Sequence, residues 1–291
     1  MTKIIAVANQ KGGVGKTTVA RELSACCALR GYSVLVVDCD PQGSLSSSWV
    51  DTDRLCDVNL SHVLVTPAKT SGGDRPEPQP MTRAIVETPV PNLDLVGGDI
   101  KLTNFDREPD DAAYRLRNEL LEHGAGYDLV FLDCPPQLGK LLTAALIAAD
   151  HVLIVCAASA LGLEGLSELA YTIRRVKSNV NRKLEVLGAV INLYMPRRRL
   201  AKSAREAVEA ATDVVGQVFA TNIHNLTEIG EAPTVHEPVA VMAPGSKAAQ
   251  QLSALTDEFL VRLNLPREAA GKNALATAAR ADAGLPEAAV S

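Results

Sequence analysis

The sequence predicts a single α/β domain built on a mostly parallel, twisted sheet with helices packed against it. Short apolar runs, of which Lys3–Ala8 is the first, alternate along the chain with stretches that repeat apolar residues at helical spacing. A glycine-rich loop at residues 10–18 joins the first strand to the first helix, and acidic residues end two later strands. Parallel strands present their carboxyl ends at one edge of the sheet, where such folds bind ligands. The loop and the acids should therefore meet there.

Composition indicates one large domain. The 291 residues are 47% hydrophobic but only 3% aromatic, so the core must consist mainly of Leu, Val, Ile and Ala. We place the folded domain at residues 1–263, with a mobile Pro/Gly-rich loop at residues 67–80. Residues 264–291 form an alanine-rich tail that we expect to be flexible.

The net charge and the cysteines limit the possible binding partners and cellular compartment of the protein. The net charge of −5 gives no overall attraction to nucleic acid, so any contact with DNA must come from a local basic surface. The six cysteines show no metal-ligand spacing and suit reduced, packed thiols, which predicts a cytoplasmic protein. Asp150 and His151 interrupt the longest apolar run, so no membrane span is predicted.

The loop at residues 10–18 reads Gln-Lys-Gly-Gly-Val-Gly-Lys-Thr-Thr and matches a phosphate-binding loop except at the first glycine position, which is Gln10. Glycines let successive backbone N–H groups surround a phosphate, and the following helix directs its N-terminal dipole at the same anion. Lys16 supplies charge to the outer phosphates, and the Thr17 hydroxyl is a ligand for Mg²⁺. The predicted nucleotide-binding residues of the loop are Lys11, Gly12, Gly13, Val14, Gly15, Lys16, Thr17 and Thr18.

Acidic residues end two of the predicted strands. Asp38 and Asp40 are two residues apart at the end of the second strand, where Pro41 stops the strand, so both carboxylates face the ligand edge. Asp133 ends a later apolar strand in the Walker B pattern. We assign Asp38 and Asp133, with Thr17, to the magnesium site. The alternative for the first pair is that it caps the helix that follows it.

The remaining elements follow from periodicity. A helix at residues 110–123 is expected to bury Ala113, Leu116, Leu120 and Leu121. Two short helices are expected within residues 44–66, and an amphipathic helix at residues 246–263. Further strands are predicted at residues 33–37, 93–96, 127–133, 151–156, 184–191 and 238–241.

The loop at residues 11–18, the Asp-Cys-Asp-Pro-Gln-Gly segment at residues 38–43 and Asp-Cys-Pro-Pro at residues 133–136 together resemble the ParA/MinD family of deviant Walker A ATPases. The resemblance implies a P-loop NTPase fold over residues 1–263, with ATP and Mg²⁺ as cofactors. It also implies that Lys11 reaches the partner's nucleotide across a dimer interface and that Asp40 positions the attacking water. With Lys16, these two residues are the catalytic candidates. The alternative for Lys11 is an ordinary solvated charge.

The C-terminal half carries a candidate for base recognition and a basic cluster. The resemblance implies that Asn192 contacts adenine, and a strand-ending turn is the alternative. The cluster suits contact with a phosphate backbone, which the resemblance also implies, and a solvated helix start is its alternative. At Glu228 the family usually has a DNA-contacting arginine, and this departure weakens the inference of strong DNA binding. The basic residues are Arg197, Arg198, Arg199, Lys202 and Arg205.

The resemblance is strongest to ParA-type partitioning ATPases. It implies an enzyme that dimerises on ATP and Mg²⁺ and in that state binds non-specific DNA, so that it associates with the nucleoid. A ParB-like or other adaptor would then stimulate hydrolysis, and the cycle would position plasmid or chromosome DNA or another cargo. A MinD-like ATPase that positions a membrane or protein assembly without DNA is the alternative. An iron–sulfur carrier is disfavoured because no cysteine follows residue 156, and a metabolic P-loop ligase would not need Lys11.

Overall fold

The computed structural model describes residues 1–51, 58–67, 76–158 and 165–269. Within these ranges eight strands form one sheet with the order β3-β4-β2-β5-β1-β6-β7-β8. All neighbouring strands are parallel except the first pair, β3 and β4. The predicted mostly parallel α/β fold is confirmed. The strands are β1 (Lys3–Ala8), β2 (Val34–Asp38), β3 (Ile85–Glu87), β4 (Leu93–Val96), β5 (Leu129–Asp133), β6 (His151–Ala157), β7 (Glu185–Tyr194) and β8 (Val218–His224).

Helices cover both faces of this sheet. Short 3₁₀ helices occur at Met81–Arg83, Ile100–Arg107, Asp110–Tyr114, Gly124–Gly126 and Ala232–Val235. The α-helices of the described residues are α1 (Lys16–Leu29), α2 (Ser44–Trp49), α3 (Leu60–Leu64), α4 (Arg115–His123), α5 (Lys140–Ala148), α6 (Leu166–Asn179), α7 (Arg199–Ala210), α8 (Thr212–Val215), α9 (Thr227–Glu231), α10 (Val239–Met242) and α11 (Lys247–Arg262).

Two apolar layers hold the helices to the sheet. One layer packs α3 to α6 and α8 against one face, and the other packs α1, α2 and α11 against the opposite face. The central strands are buried on both sides, which explains why they are continuous apolar runs without polar alternation. The five cysteines among the described residues are free and buried, as packing predicts, and Cys56 lies outside the described ranges.

The strand predicted at residues 238–241 is wrong. This stretch is the short helix α10, in which the Pro238 carbonyl accepts hydrogen bonds from the backbone N–H groups of Val241 (2.9 Å) and Met242 (3.0 Å). A run of three or four apolar residues is too short for its period to separate helix from strand, and tertiary contacts decide between them.

The helix predicted at residues 110–123 is present but divided. Asp110–Tyr114 is a 3₁₀ helix and Arg115–His123 continues as α4. Leu116 is buried as predicted, whereas Leu121 is 66% exposed and the prediction of its burial is wrong. The change of helix type rotates the later side chains relative to a continuous α-helix. The predicted C-terminal helix is confirmed as α11, and it buries its apolar face.

Parts of two predicted flexible segments lie outside the described residues, namely 68–75 of the loop and 270–291 of the tail. The start of the tail packs on the end of α1: the Tyr32 hydroxyl donates to the Pro266 carbonyl, and the Ala269 N–H donates to the Arg30 carbonyl at 3.1 Å. In the described part of the chain no helix is both long enough and apolar enough to span a membrane.

Candidate nucleotide-binding site

The phosphate loop lies between β1 and α1 at the carboxyl edge of the sheet. Gly13 and Gly15 have φ of 74° and 86°, in the left-handed region where a side chain is strained. Gly15 is the N-cap of α1, so Lys16 and Thr17 form the first turn of a helix whose N-terminus faces the loop. Asn9 fixes the start of the phosphate loop relative to β6. Its Oδ1 accepts a hydrogen bond from the Lys11 N–H at 2.9 Å, and its Nδ2 donates to the Val155 carbonyl.

Lys16 is held inside the site. Its side chain is buried, and Nζ donates to the Lys11 carbonyl at 3.2 Å. Burial lowers the pKa of Lys16, while the Asp133 carboxylate most strongly opposes that shift, followed by Cys134 and Asp40. The Lys16 ammonium therefore lies near acidic side chains that partly neutralise its charge. The phosphate oxygens of a bound nucleotide would neutralise it further.

Asp38 is the better anchored of the two buried acids. Its Oδ2 accepts hydrogen bonds from the Ser46 N–H (2.8 Å) and hydroxyl (2.6 Å), and its Oδ1 accepts from the Asp40 N–H (3.1 Å). Burial nevertheless raises the pKa of Asp38 from 3.8 to about 6, against the effect of these donors. The carboxylate has a fixed orientation and an incompletely compensated charge.

Asp133 faces Asp38 across the strand pair, since the two are register partners on β2 and β5. Both carboxylate oxygens of Asp133 are buried and lack a hydrogen-bond partner among the described residues. Burial, and next the Asp38 carboxylate, raise the pKa of Asp133 well above its ordinary value. The nearby Thr17 hydroxyl, which does not meet hydrogen-bond geometry with the carboxylate, and the Lys16 ammonium act in the opposite direction. A buried carboxyl group with two unpartnered oxygens calls for a cation or its hydration shell.

These residues fit Mg²⁺ bound together with a nucleotide. No three His, Cys, Asp or Glu side chains among the described residues are grouped so as to cage a metal by themselves. Mg²⁺ is usually bound by only one or two carboxylates together with waters and substrate phosphates. The structure brings Thr17, Asp38 and Asp133 close together, and a magnesium nucleotide would supply the ligands that the protein does not. Their assignment to the magnesium site stays a prediction.

Asp40 lies at the mouth of the site. Its side chain is half-buried, and its Oδ1 accepts a hydrogen bond from the Gln42 N–H at 3.0 Å. The negative charge of Asp40 raises the pKa of Lys16. The Asx-type contact with Gln42 fixes one carboxylate oxygen. Asp40 therefore lies close enough to Lys16 to interact with its charge, without being part of the buried acid pair.

Asn192 lies behind the loop. It is buried at the end of β7, and its Nδ2 donates to the Val14 carbonyl at 2.9 Å. A Cβ on Gly15 would lie only 2.0 Å from this same nitrogen. Asn192 thus braces the loop, a role that the sequence did not reveal, and its contact with adenine stays a prediction.

Replacing Gly15 with alanine is expected to lower the free energy of unfolding by about 1–3 kcal/mol, because the new Cβ is strained at this φ and displaces the Asn192 amide. Gly12→Ala is the matched control, since nothing lies within 4 Å of its added Cβ. Thermal unfolding of the nucleotide-free proteins measures both. Equal melting temperatures for the two variants would contradict the bracing role of Asn192.

The basic cluster of the sequence divides into two parts. Arg197, Arg198, Arg199 and Lys202 are exposed at the carboxyl end of β7 and the start of α7. Arg205 is bonded within the protein, where its guanidinium donates to Glu209 at 2.8 Å and to the Asn222 side chain. The first four are available to a ligand, whereas Arg205 has a structural use on α7.

Two supporting residues were missed in the sequence. The Ser46 hydroxyl donates to Asp38 and accepts the Gly98 N–H at 2.9 Å. A Cβ on Gly98 would lie 2.5 Å from the Asp38 carbonyl, so only glycine fits at this point. Gly98 is recognisable as a turn after β4, but its packing against Asp38 required the folded chain. Ser46 stands in a run of serines with nothing to single it out.

Gln10, at the position of the missing first glycine, also has a defined contact. Its Nε2 donates to the Glu168 carboxylate on α6, and a Cβ on Gly165 would lie 2.5 Å from its Oε1. The loop is thereby tied to the segment that starts α6. This contact explains how a long side chain is accommodated where the usual loop has glycine.

Folding raises the pKa of both Asp133 and Asp38, so both make the stability of the protein decrease as the pH rises. The pKa of Asp38 rises from 3.8 to about 6 on folding, so at this carboxyl the folded state binds more protons between these values. The contribution of the Asp38 carboxyl to the free energy of unfolding is at most about 3 kcal/mol. It is fully present below pH 3.8 and is lost as the pH rises through 6. We expect urea unfolding of the nucleotide-free protein to show this slope and Asp38→Asn to reduce it. Mg²⁺ with nucleotide should stabilise the protein more as the pH rises, because its ligands must be deprotonated. An unchanged slope in Asp38→Asn would contradict the assignment.

A glycine-rich loop before a helix, a buried lysine in its first turn and two acids at adjacent strand ends define a P-loop nucleotide-binding protein. The sequence model of the AAA domain family matches residues 2–186. The chain is 33% identical over 265 residues to the chromosome partitioning protein ParA of Caulobacter vibrioides, covering 89% of this chain and 94% of that protein. It is 34% identical over 270 residues to the chromosome-partitioning ATPase Soj of Treponema pallidum, covering 90% and 98%.

Among solved structures, a cobyrinic acid a,c-diamide synthase from Mycobacterium smegmatis with bound ADP and magnesium superposes with a TM-score of 0.75 at 29% identity, covering 91% of this chain and 96% of that one. The chain belongs to the ParA/MinD family of deviant Walker A ATPases. It is a ParA-like ATPase that uses ATP and Mg²⁺.

Proposed function

We propose that this ATPase dimerises on binding ATP and Mg²⁺, binds non-specific DNA in that state, and is reset when an adaptor stimulates hydrolysis. The protein acts in the cytoplasm and associates with the nucleoid in its ATP-bound state. The cycle positions DNA or another cargo. Its similarity to the chromosome-partitioning proteins ParA of Caulobacter vibrioides and Soj of Treponema pallidum supports this proposal.

The observation that carries it is the position of β7. This strand delivers Asn192 to the Val14 carbonyl of the phosphate loop, and five residues later the chain reaches the exposed Arg197. A nucleotide that orders the loop therefore acts on the strand end that leads to the basic residues. Arginines of this kind, near but outside the nucleotide site, suit contact with phosphate oxygens.

The test is DNA binding by the purified protein with ATP, with ADP and without nucleotide, on random-sequence duplex at low and physiological salt. We expect ATP to increase binding and salt to weaken it. The triple variant Arg197→Gln, Arg198→Gln, Arg199→Gln should lose the ATP-dependent part and reduce the salt slope by about 2–3. If ATP does not increase DNA binding, the proposal fails, in line with Glu228 at the usual arginine position, and membrane vesicles and protein partners are tested next.

A synthase activity has one observation in its favour, the similarity to the cobyrinic acid a,c-diamide synthase. A synthase couples ATP cleavage to an acceptor, so it releases little phosphate without one. Phosphate release by this protein with DNA and no small-molecule acceptor would exclude the synthase. Release only on addition of an acid acceptor would favour it.

A further inference from the structure

A second concentration of positive charge lies on α6 and the turn after it. Residues 169–184 contain five cations and no acid, in a chain of net charge −5. α6 buries Leu169, Ile173 and Val176 against the sheet, so its polar residues share the outer face. The α6 basic surface consists of Tyr171, Arg174, Arg175, Lys177, Arg182 and Lys183, all of them exposed.

These cations are not used to hold the fold. Within the described residues none of the five has a carboxylate within ion-pair distance or a side-chain hydrogen bond, whereas several other arginines do. Asp213 lines a small cavity of about 240 Å³ together with Arg174 and Lys177, without forming an ion pair with either. A helix C-terminus favours one or two cations in its last turn, and Arg182 and Lys183 lie beyond the helix. The helix dipole therefore does not account for the set.

An exposed aromatic ring accompanies the cations. Tyr171 is 63% exposed, and Arg174 and Arg175 follow it at three and four residues, which places all three on one face of α6. A tyrosine hydroxyl and arginines are among the groups that contact phosphate and sugar in protein–DNA interfaces. The surface is a convex helix face, which suits a polymer lying across it better than a small anion enclosed by a pocket.

The C-terminal part of the α6 basic surface is remote from the nucleotide-binding site. The C-terminal end of α6 leads into the start of β7, at the amino edge of the sheet, whereas the phosphate loop and Arg197 lie at the carboxyl edge. The ten residues Glu185–Tyr194 of β7 separate Arg182 and Lys183, which lie just before the strand, from Arg197 by about 30 Å. The described contact between the loop and α6 is the hydrogen bond of Gln10 with Glu168, which precedes the α6 basic surface, and no described hydrogen bond or ion pair joins the five cations to the loop. We therefore expect the affinity of this surface for a ligand to depend little on the bound nucleotide.

We propose that the α6 basic surface binds the phosphate backbone of duplex nucleic acid whether or not nucleotide is bound. This contact goes beyond the ATP-dependent DNA binding proposed above and does not depend on it. A weak contact of this kind keeps the protein near the polymer after hydrolysis, while the region near Arg197 supplies the nucleotide-dependent part.

The test is fluorescence anisotropy with a labelled random duplex of about 30 base pairs, at about 50 and 150 mM salt. The variant Arg174→Gln, Arg175→Gln, Lys183→Gln is compared with Arg83→Gln, Lys101→Gln, Arg107→Gln, which removes the same charge from exposed positions elsewhere. Without nucleotide and with ADP, we expect the α6 variant to lose about tenfold in affinity and to have a salt slope smaller by about 2–3, and the control to change little.

This assay tests the α6 basic surface independently of the ATP-dependent DNA binding proposed above. Loss of nucleotide-independent binding with the ATP-dependent increase intact supports the α6 basic surface. Equal nucleotide-independent affinities for the α6 variant and the control overturn it, as does an absence of such binding in the wild-type protein. Poly-glutamate that displaces duplex at equal charge concentration also overturns it, because the partner would then be an acidic protein.

Discussion

Asp40→Asn is expected to slow ATP hydrolysis about 100-fold or more while changing ATP affinity less than about threefold. Asp40 lies outside the buried pair of Asp38 and Asp133, so its substitution leaves the magnesium site intact. Its Oδ1 is fixed by the Gln42 N–H, and an asparagine carbonyl retains that bond. What the substitution removes is a negative charge at the mouth of the site, where it would orient and polarise the attacking water.

Hydrolysis is measured as phosphate release, and binding with a fluorescent ATP analogue in the presence of Mg²⁺. Asp111→Asn, which removes an exposed carboxylate from the 3₁₀ helix before α4, is the control and should hydrolyse ATP at the wild-type rate. Phosphate release by Asp40→Asn within a factor of about three of wild type would show that another group positions the water.

Lys11→Ala is expected to abolish ATP-dependent dimerisation while nucleotide binding by the monomer remains. Two contacts of Lys11 with the loop are made by its backbone, whose N–H donates to Asn9 and whose carbonyl accepts from Lys16. Alanine keeps both, so the loop retains its conformation. The lost ammonium is the group proposed to reach the partner's nucleotide, and an interface that buries phosphates without it leaves their charge uncompensated.

Dimerisation is best measured by light scattering in an Asp40→Asn background, in which slow hydrolysis preserves the ATP state. Lys101→Ala, at an exposed position, should dimerise normally. Lys16→Ala is a second comparison, because removing the buried lysine should eliminate nucleotide binding itself. A Lys11→Ala protein that still dimerises with ATP would refute the role given to Lys11.

The central strands of the sheet could be predicted from the sequence because buried parallel strands are continuous apolar runs with sharp ends. The observed bounds of β1 and β4 match the predicted bounds. Two strands at the edges of the sheet, β3 and β8, were not predicted. Strand β3 has only three residues, and both strands contain few fully buried residues, so neither forms a continuous apolar run. Residues 238–241 were misread for a related reason: a few apolar residues suit either a strand or a helical turn.

Local sequence determined the phosphate loop and the acids at the strand ends, because a backbone that turns around an anion needs glycine at fixed positions and the carboxyl ends of parallel strands share one edge. Only the tertiary structure brought Ser46 and Gly98 against Asp38, set Asn192 behind Val14 and placed the C-terminal part of the α6 basic surface at the opposite edge of the sheet from the nucleotide-binding site. These contacts join residues far apart in the chain. Their partners are chosen by the packing of whole elements, and no spacing within the sequence encodes that choice.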